Sequence, residues 1–245
     1  MNLGQKLTLK KEEENKVIYL VGSANTGKSA MFHLLTGKSV VISNFPGTTV
    51  KFQEGKMKLG KEEIKVYDTP GIYSLAGISE EEKITLRMIL ENRPDLIVHI
   101  MDATRLEKCL SLQLQIADFG IPTMVALNMI DEAERLKLRI DVEGLSKKLG
   151  VPIIPTVAVT GVGKKELIKT ALEEMNKKEI TPNHVYYDER TELEVEKIIH
   201  LLRRSEVKTW VPLRTMALWL LMGNEVIEET VMRMVEKEAS NLEVV

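Results

Sequence analysis

The sequence GSANTGKS at residues 22–29 decides the fold of this 245-residue chain. It fits the pattern G-x-x-x-x-G-K-[ST], in which Gly22 and Gly27 let the loop turn so that successive backbone N–H groups point at phosphate oxygens. In such a loop Lys28 reaches the β- and γ-phosphates, and Ser29 supplies a hydroxyl to Mg²⁺. The stretch therefore predicts a nucleotide phosphate site.

The residues around this loop supply the strand and the helix that its chemistry requires. Residues 16–21, KVIYLV, form a short β-branched and aromatic run that is typical of a buried strand. Met31, Leu34 and Leu35 are the apolar residues of a helix that Gly37 stops. This helix presents the positive end of its dipole to the same anion.

Strand and helix patterns alternate further along the chain. Such alternation predicts an α/β fold with a mostly parallel, twisted sheet flanked by helices. Strands are predicted at residues 50–58 and 62–67, joined as a hairpin around Leu59 and Gly60, and at 96–101, 123–127 and 151–155; helices are predicted at 80–91, 105–119, 141–149 and 164–176.

The pattern changes after ITPN at residues 180–183. The later stretches have helical periodicity, and none of them is a strand candidate. The helices are predicted at residues 189–202, 212–222 and 225–238. We therefore predict a flexible segment at residues 1–15, which offers no apolar face to bury, an α/β domain at 16–178 and a small all-α domain at 179–245.

The composition is that of an ordinary globular protein. The chain has 34 Lys and Arg residues and 36 Asp and Glu residues, which gives a formal net charge of −2. This balance argues against a protein whose main function is to bind a nucleic-acid backbone. A single cysteine, Cys109, cannot form an internal disulfide and favours a reducing compartment. The N-terminus lacks a signal-peptide core, and the longest apolar stretch, residues 216–223, is shorter than the ~20 residues that span a bilayer. We therefore predict a soluble, cytoplasmic domain.

A second motif, Asp68-Thr69-Pro70-Gly71, follows the second strand of the hairpin. An Asp at a strand end can hold Mg²⁺ through water, and the Gly71 N–H can contact a γ-phosphate. Alone, the four residues are equally typical of an ordinary turn. Together with a phosphate loop about 40 residues upstream, they predict the γ-phosphate side of the site.

A third motif predicts the choice of base. Asn128-Met129-Ile130-Asp131 directly follows the strand at residues 123–127. A carboxylate there accepts both N–H groups on the Watson–Crick edge of guanine, whereas adenine leaves it unpaired. Ala158-Val159-Thr160 follows the last strand and is placed to offer a backbone N–H to the base. The order of the motifs predicts a guanine nucleotide rather than ATP.

These residues are similar to those of a translation-factor-type GTPase, and longer strings resemble one family more closely. NFPGTTV at residues 44–50, DTPGIYSL at 68–75 and the stretches at 101–131 and 139–155 resemble the cytoplasmic GTPase domain of the ferrous iron transport protein B family. The resemblance runs from residue 17 to about 172 and implies a P-loop GTPase fold. Residues 212–225 resemble the small helical domain of that family, which is associated with nucleotide retention.

The resemblance implies further roles. Thr49 matches the switch threonine that reaches Mg²⁺ and the γ-phosphate, although spacing alone leaves Thr48 as its competitor. Asn25 matches an asparagine that holds K⁺ in potassium-activated relatives, where the ion neutralises charge between the β- and γ-phosphates; a loop-shaping hydrogen bond is the alternative. Ile72 stands where Ras-like enzymes carry a water-positioning Gln, so slow intrinsic turnover is expected.

The expected site residues are therefore numerous. Hydrolysis is assigned to Asn25, Lys28, Thr49 and Gly71, Mg²⁺ to Ser29, Thr49 and Asp68, and K⁺ to Asn25. The nucleotide is expected to contact Gly22, Asn25, Thr26, Gly27, Lys28, Ser29, Ala30, Gly47, Thr48, Thr49, Asp68, Gly71, Asn128, Met129, Asp131, Ala158, Val159 and Thr160.

The chain departs from the family pattern in a few places. Ser23 and Ala24 stand where Asn-Pro is common, His33 replaces an Asn, and Ala158 replaces a Ser. The family's proteins continue into a membrane permease, so the chain is either an excised domain or a stand-alone relative.

Two functions follow from the residues and the resemblance. The first is a GTP-hydrolysing domain that regulates ferrous iron transport through a permease in the cell inner membrane, with switch segments at residues 39–50 and 68–79. A small regulatory protein or a homo-oligomer fits as an additional partner, and no nucleic acid is expected. The alternative is a soluble GTPase acting in RNA or ribosome assembly, and a nucleotide switch with negligible hydrolysis is a third possibility.

Overall fold

A computed structural model describes residues 16–37, 40–45, 48–59, 62–177 and 186–242. Strands and helices alternate along the first part of the chain, and helices alone follow. The elements are β1 (Val17–Val21), α1 (Lys28–Thr36), β2 (Val40–Asn44), β3 (Lys51–Leu59), β4 (Glu62–Asp68), α2 (Glu80–Glu91), β5 (Leu96–Asp102), a 3₁₀ turn (Ala103–Arg105), α3 (Leu106–Ala117), β6 (Thr123–Asn128), α4 (Ile130–Arg135), α5 (Val142–Leu149), β7 (Ile153–Pro155), α6 (Lys164–Met175), α7 (Glu189–Arg204), α8 (Leu213–Leu221) and α9 (Glu225–Leu242).

The seven strands form one sheet in the order β2-β3-β4-β1-β5-β6-β7. The five strands from β4 to β7 in that order run parallel to their neighbours. The hairpin of β3 and β4 and the pairing of β2 with β3 are antiparallel. The prediction of a mostly parallel sheet in an α/β fold is confirmed. Every residue of β5 and β6 is buried, because helices cover both faces of the sheet.

Apolar side chains on the two faces of the sheet form separate clusters. On one face, residues of β1 and β5 such as Leu20 and Ile100 pack with residues of α1 and α6. On the other face, α2 and α3 share a single cluster with α7, α8 and α9. Trp219 of α8 packs beside Phe119, with ring centroids 6.3 Å apart. The C-terminal helices therefore complete the hydrophobic core of the α/β part.

The sequence prediction locates most elements to within a few residues and misses two. β2 lies inside the segment that was assigned to a switch, although its run of Val40, Val41 and Ile42 is β-branched. Helix α4 has only six residues, too few for a periodic pattern to stand out. The predicted flexible segment at 1–15 and the boundary between residues 178 and 179 lie outside the described residues, and the division into two domains stays a prediction.

Among the described residues, no helix combines the length and hydropathy needed to cross a bilayer.

Candidate functional site

The loop at residues 22–29 connects β1 to α1, as the motif predicts. Gly27 has a φ of 83°, and a Cβ atom there would lie 2.2 Å from Nδ2 of Asn128. Any other residue would therefore clash as well as strain the backbone. Asn25 and Gly27 both have positive φ, which gives the loop the sharp turn that a phosphate-binding backbone requires.

Lys28, Ser29 and Asp68 meet at the end of this loop. Lys28 Nζ lies 2.6 Å from Oδ1 of Asp68 and also donates to the Thr69 carbonyl. Ser29 Oγ donates to Oδ2 of Asp68 at 2.8 Å. Lys28 and Asp68 are both buried, so the carboxylate compensates the cost of placing the ammonium there. The sequence predicted these residues for the site but did not predict that they contact one another.

A hydroxyl and a carboxylate at one point form the oxygen donor set that Mg²⁺ prefers. Ser29 and Asp68 provide that set, and their oxygens already lie 2.8 Å apart. These residues therefore fit the metal that the motif implies.

The segment from Asp68 to Ile72 lies directly against the phosphate loop. The Ile72 N–H donates to the Gly22 carbonyl at 3.1 Å, and Thr69 Oγ1 donates to the Leu20 carbonyl at 2.9 Å. A Cβ on Gly71 would lie 3.2 Å from the Ala24 backbone, so a glycine permits this approach. Ile72 is buried in the core, so it offers no polar group to a water molecule.

Asn128 holds three loops together. Its Nδ2 donates to the Thr26 carbonyl at 2.9 Å, and its Oδ1 accepts from the Ala158 N–H at 2.9 Å and from Thr156 Oγ1 at 3.3 Å. The side chain is buried. Asn128 is therefore a positioning residue. Ala158-Val159-Thr160 are expected to offer one backbone N–H to the base, and of these three groups the Ala158 N–H is already bonded to Asn128.

Met129, Asp131 and Val159, three of the residues predicted to contact the base, line one cavity of about 580 Å³ next to the phosphate loop. Asp131 is exposed on its wall, and Met129, at a φ of 61°, ends β6 and turns the chain into α4. Val159 is 82% exposed, whereas the Thr160 N–H donates to the Val157 carbonyl. Of the three backbone N–H groups at 158–160, that of Val159 has no hydrogen-bond partner among the described residues.

Thr49, the predicted switch threonine, and its competitor Thr48 differ in their contacts. Thr48 Oγ1 donates to the Phe45 carbonyl at 3.1 Å and accepts from the Val50 N–H at 3.2 Å. The Thr49 side chain is exposed. The hydroxyl of Thr48 is therefore already used in a turn, and the choice between the two threonines stays a prediction. Gly47 lies outside the described residues.

Asn25 occupies the exposed rim of the phosphate loop. Its φ is 65°, a left-handed conformation that Asn adopts more readily than most residues. No described residue hydrogen-bonds to its side chain, so the alternative of a loop-shaping bond finds no support there. Ala30, also expected near the nucleotide, lines the same cavity together with Thr26.

Several residues of this cavity were missed by the sequence analysis. Asp102 ends β5 beside Asn128 of β6, and its carboxylate accepts from the N–H and the hydroxyl of Thr104. Tyr73 and Lys108 complete this wall. Asp102 follows a buried strand in the same way as Asp68 does, so its position at the carboxyl end of a parallel strand is the signal that could have found it.

Cys109 lines the cavity but is a packing residue. Burial raises the pKa of its thiol above the ordinary value, because the thiolate is poorly solvated there. Among the described residues, no group of three or more His, Cys, Asp or Glu side chains is arranged to hold a metal ion.

Comparison with known proteins identifies a family. A family model described as Ferrous iron transport protein B matches residues 16–171. The Fe(2+) transporter FeoB of Salmonella typhimurium is 40% identical over 163 residues, which cover 65% of this chain and 21% of that protein. A fusion protein of Fe(2+) transport protein A and FeoB from Porphyromonas gingivalis is 36% identical over 213 residues, which cover 85% of this chain and 25% of that protein. The chain thus spans about a fifth to a quarter of the length of these relatives.

Solved structures share most of this arrangement. The cytosolic domain of the T. maritima FeoB iron transporter in its GMPPNP form superposes with a TM-score of 0.81 at 32% identity, covering 89% of this chain and 86% of that one. The cytosolic domain of L. pneumophila FeoB gives a TM-score of 0.80 at 30% identity, covering 89% and 85%. The match includes the C-terminal helices as well as the sheet.

Proposed function

The chain belongs to the ferrous iron transport protein B family, and from this premise we propose that it binds guanine nucleotides and hydrolyses GTP to GDP and phosphate. The observation that carries the proposal is one cavity that joins the phosphate loop to Asp131. Family membership favours this function over an RNA or ribosome-assembly GTPase. The nucleotide-bound forms of the T. maritima relative support a guanine nucleotide as the ligand.

Hydrolysis at this site depends on positioning and charge. Lys28 exchanges its contact with Asp68 for the β- and γ-phosphates, and the Gly71 N–H donates to the γ-phosphate. Ser29, Asp68 and Thr49 would hold Mg²⁺, which would offset the negative charge of the phosphates. Since Ile72 is buried and apolar, no side chain at that position orients the attacking water. Slow intrinsic turnover is expected because position 72 has no side chain that can orient the attacking water.

Guanine selection is assigned to Asp131. Its exposed carboxylate accepts the two N–H groups of the guanine edge, while the Val159 N–H donates to the base. Asn128 fixes the relative positions of these loops and of Thr26. The side-chain amide of Asn128 therefore positions both the phosphate loop and the loops that are proposed to hold the base.

Asn25 is assigned to K⁺. Its side chain is exposed on the phosphate loop and lines the cavity proposed to hold the nucleotide. Oxygen ligands suit an alkali cation, and a positive charge there would stabilise the transition state as an arginine finger does. Asn25 acts in this proposal only through its side-chain oxygen.

The segment from Asp68 to Ser79 is proposed as a switch that reaches the C-terminal helices. Asn224, at the start of α9, donates through Nδ2 to the carbonyls of Leu75 and Ala76 at 3.3 and 2.9 Å. Gln115 of α3 accepts from the Leu75 N–H at 2.7 Å. A change at the γ-phosphate that moves this segment therefore alters bonds to α3 and α9.

Ion pairs continue the connection along the helices. Lys83 and Arg87 of α2 contact Glu225 and Glu229 of α9, each at 2.8 Å. In a full-length protein, α9 would pass this movement toward a membrane permease and so regulate ferrous iron transport. A small regulatory protein could bind the same helices.

The first experiment measures GTP hydrolysis by the purified chain with Mg²⁺, in matched KCl and NaCl. We expect slow, Mg²⁺-dependent turnover that is faster in KCl, and we expect Asn25→Ala to abolish the difference between the salts. Lys28→Ala should lose nucleotide binding, whereas Lys165→Ala, which removes a lysine at the start of α6, should retain it. Circular dichroism separates lost binding from lost folding, because Lys28 also pairs with Asp68.

The outcomes are distinct. Nucleotide binding without turnover would contradict the hydrolysis proposal. Equal rates in both salts would contradict only the role of Asn25. A further pair, Thr49→Ala and Thr48→Ala, tests the switch threonine: Thr49→Ala should lower the turnover rate at least tenfold and weaken its Mg²⁺ dependence, and Thr48→Ala should have the smaller effect.

A further inference from the structure

Strand β2 forms one edge of the seven-stranded sheet. Its sequence, VVISN, contains no charged residue and no proline. Val41 is 61% exposed and Ile42 is 64% exposed. Natural edge strands are usually protected by charge, proline or a covering element, because their unpaired backbone groups pair readily with another strand. β2 carries neither a charged residue nor a proline, and no described element covers its free edge.

The pairing of β2 with β3 shows which backbone groups are free. The Phe45 N–H donates to the Val50 carbonyl, so residues 45 and 50 form a hydrogen-bonded pair. Because hydrogen-bonded and non-bonded pairs alternate in an antiparallel ladder, residues 43 and 41 also face β3. The N–H and C=O groups of Val40, Ile42 and Asn44 therefore point away from the sheet.

These free groups are symmetric about Ile42. If a second β2 strand is laid antiparallel beside the first, Ile42 stands opposite Ile42 and Val40 stands opposite Asn44. All three positions then exchange N–H and C=O bonds with the other strand. Such a pairing is isologous, and two-fold symmetry is the commonest symmetry among soluble homo-oligomers.

We propose that β2 is a self-association edge, at which two copies of this chain pair antiparallel about a two-fold axis through Ile42 and join their sheets. The absence of charge on β2 lets two copies lie side by side without like-charge repulsion. The pairing covers Val41 and Ile42, which are otherwise exposed. Since β2 ends four positions before Thr48 in the sequence, we expect pairing also to restrain the segment proposed to contact the γ-phosphate.

The small size of the contact makes the association weak. Five residues from each copy bury less than the roughly 1,200–2,000 Å² typical of stable interfaces. We therefore expect a dimer that dissociates on dilution. The proposal is independent of GTP hydrolysis, and its failure would leave the nucleotide site unaffected.

The first test uses disulfide formation at the axis. In a Cys109→Ala background, Ile42→Cys places two thiols opposite each other with Cα atoms about 5.5 Å apart, within disulfide range. Val41→Cys is the matched control, because it is equally exposed and adjacent in sequence. In the paired strands, residue 41 of one copy is offset by two residues from residue 41 of the other. Their Cα atoms are roughly 8 Å apart, which is outside that range. Under mild oxidation, Ile42→Cys should form covalent dimers at least tenfold faster than Val41→Cys.

The second test uses sedimentation velocity across a range of protein concentrations. Wild type should show a concentration-dependent dimer. Ile42→Lys brings two positive charges together at the axis and should raise the dissociation constant at least tenfold. Leu201→Lys, a change of an equally exposed apolar residue on α7, should leave it unchanged.

Each outcome decides the proposal. Fast cross-linking at residue 42 alone, together with a dimer that Ile42→Lys weakens, supports it. Equal cross-linking at residues 41 and 42, or a monomer at every concentration, overturns it and leaves the edge to a strand from another protein. A dimer that Ile42→Lys does not weaken places the interface elsewhere and also overturns it.

Discussion

At the scale of single residues, Asn128 and Asp131 lie three positions apart in one motif and have different tasks. Asn128 is buried and bonded to Thr26, Thr156 and Ala158, so its work is internal. Asp131 is exposed on the cavity wall, with no bond to another described residue, so its carboxylate is free for a ligand. The sequence alone assigns both residues to the base, because a motif gives the spacing of side chains and not the direction in which each one points.

This difference can be measured with GDP and inosine diphosphate, which lacks the 2-amino group of guanine. Asp131→Ala should reduce the preference for GDP over the inosine form to near unity while leaving the melting temperature unchanged. Asn128→Ala should weaken binding of both nucleotides and destabilise the protein by about 1–3 kcal/mol, because buried partners are left unpaired. Fluorescence binding and thermal denaturation check both. A retained GDP preference in Asp131→Ala would exclude it as the base reader.

His99 makes a second prediction at this scale. It is fully buried on β5, with Nδ1 2.9 Å from Oε1 of Gln113, and burial lowers its pKa from 6.5 to about 4. In the unfolded chain, His99 therefore becomes protonated below about pH 6.5. In the folded protein it stays neutral until about pH 4. Stability should fall as pH decreases through this window, by at most about 1.4 kcal/mol per pH unit.

Urea denaturation between pH 7 and 4 measures this effect. His99→Leu has no group to titrate, so its free energy of unfolding should fall less steeply than that of wild type over the same window. The comparison cancels the carboxylates that titrate in both proteins. Identical slopes would show that His99 does not report on folding in this way.

At the scale of elements, the junction of α8 and α9 lies against the segment after β4. Asn224 is buried, accepts from the Ile227 N–H at 3.1 Å and donates to two carbonyls of that segment. One side chain therefore caps α9 and fixes the loop. The ion pairs of Glu225 and Glu229 lie on the same helix but near the surface, where such pairs contribute at most about 1 kcal/mol.

Asn224→Ala should therefore lower the free energy of unfolding more than the double variant Glu225→Gln and Glu229→Gln does. We expect Asn224→Ala to lower stability by about 1–3 kcal/mol, from the lost cap and the unpaired carbonyls. If the loop is the proposed switch, Asn224→Ala should also change the rate of GDP release, which the double variant should leave close to wild type. Equal effects of the two variants on both quantities would contradict a special role for Asn224.

At the scale of the whole molecule, the C-terminal helices and the α/β part share one hydrophobic cluster. Both tryptophans of the chain lie in the C-terminal helical part. Trp219 packs beside Phe119, and Trp210 donates from Nε1 to the Leu90 carbonyl at 3.1 Å. Separating the two parts would expose apolar side chains of both to water, which favours unfolding as one cooperative unit.

Tryptophan fluorescence and far-ultraviolet circular dichroism test this cooperativity. Fluorescence follows the helical part and its interface, whereas circular dichroism follows the whole chain. We expect the two urea transitions to coincide in midpoint and slope. A separate, earlier fluorescence transition would instead support two domains that fold independently, as the predicted boundary near residue 178 implies.

The sequence by itself determined the phosphate loop, the strand before it, the helix after it and the later alternation of strands and helices. These features depend on residues close together in the chain: the glycines of the loop, β-branched runs and helical spacing. It missed β2 as a strand, because an exposed edge has no buried alternation to mark it. It also missed α4, which is too short to show a period.

Only the tertiary structure decided the contacts between distant segments. Asn128 bonds to Thr26 across 102 positions, and Asn224 bonds to Ala76 across 148. The partner of a polar side chain depends on how the strands are ordered and how the helices pack, which nearest-neighbour patterns do not encode. The pairing of Lys28 with Asp68, the shared core and the free edge of β2 follow from that order. Local chemistry therefore determined which groups the site contains, and topology determined which of them remain free to bind.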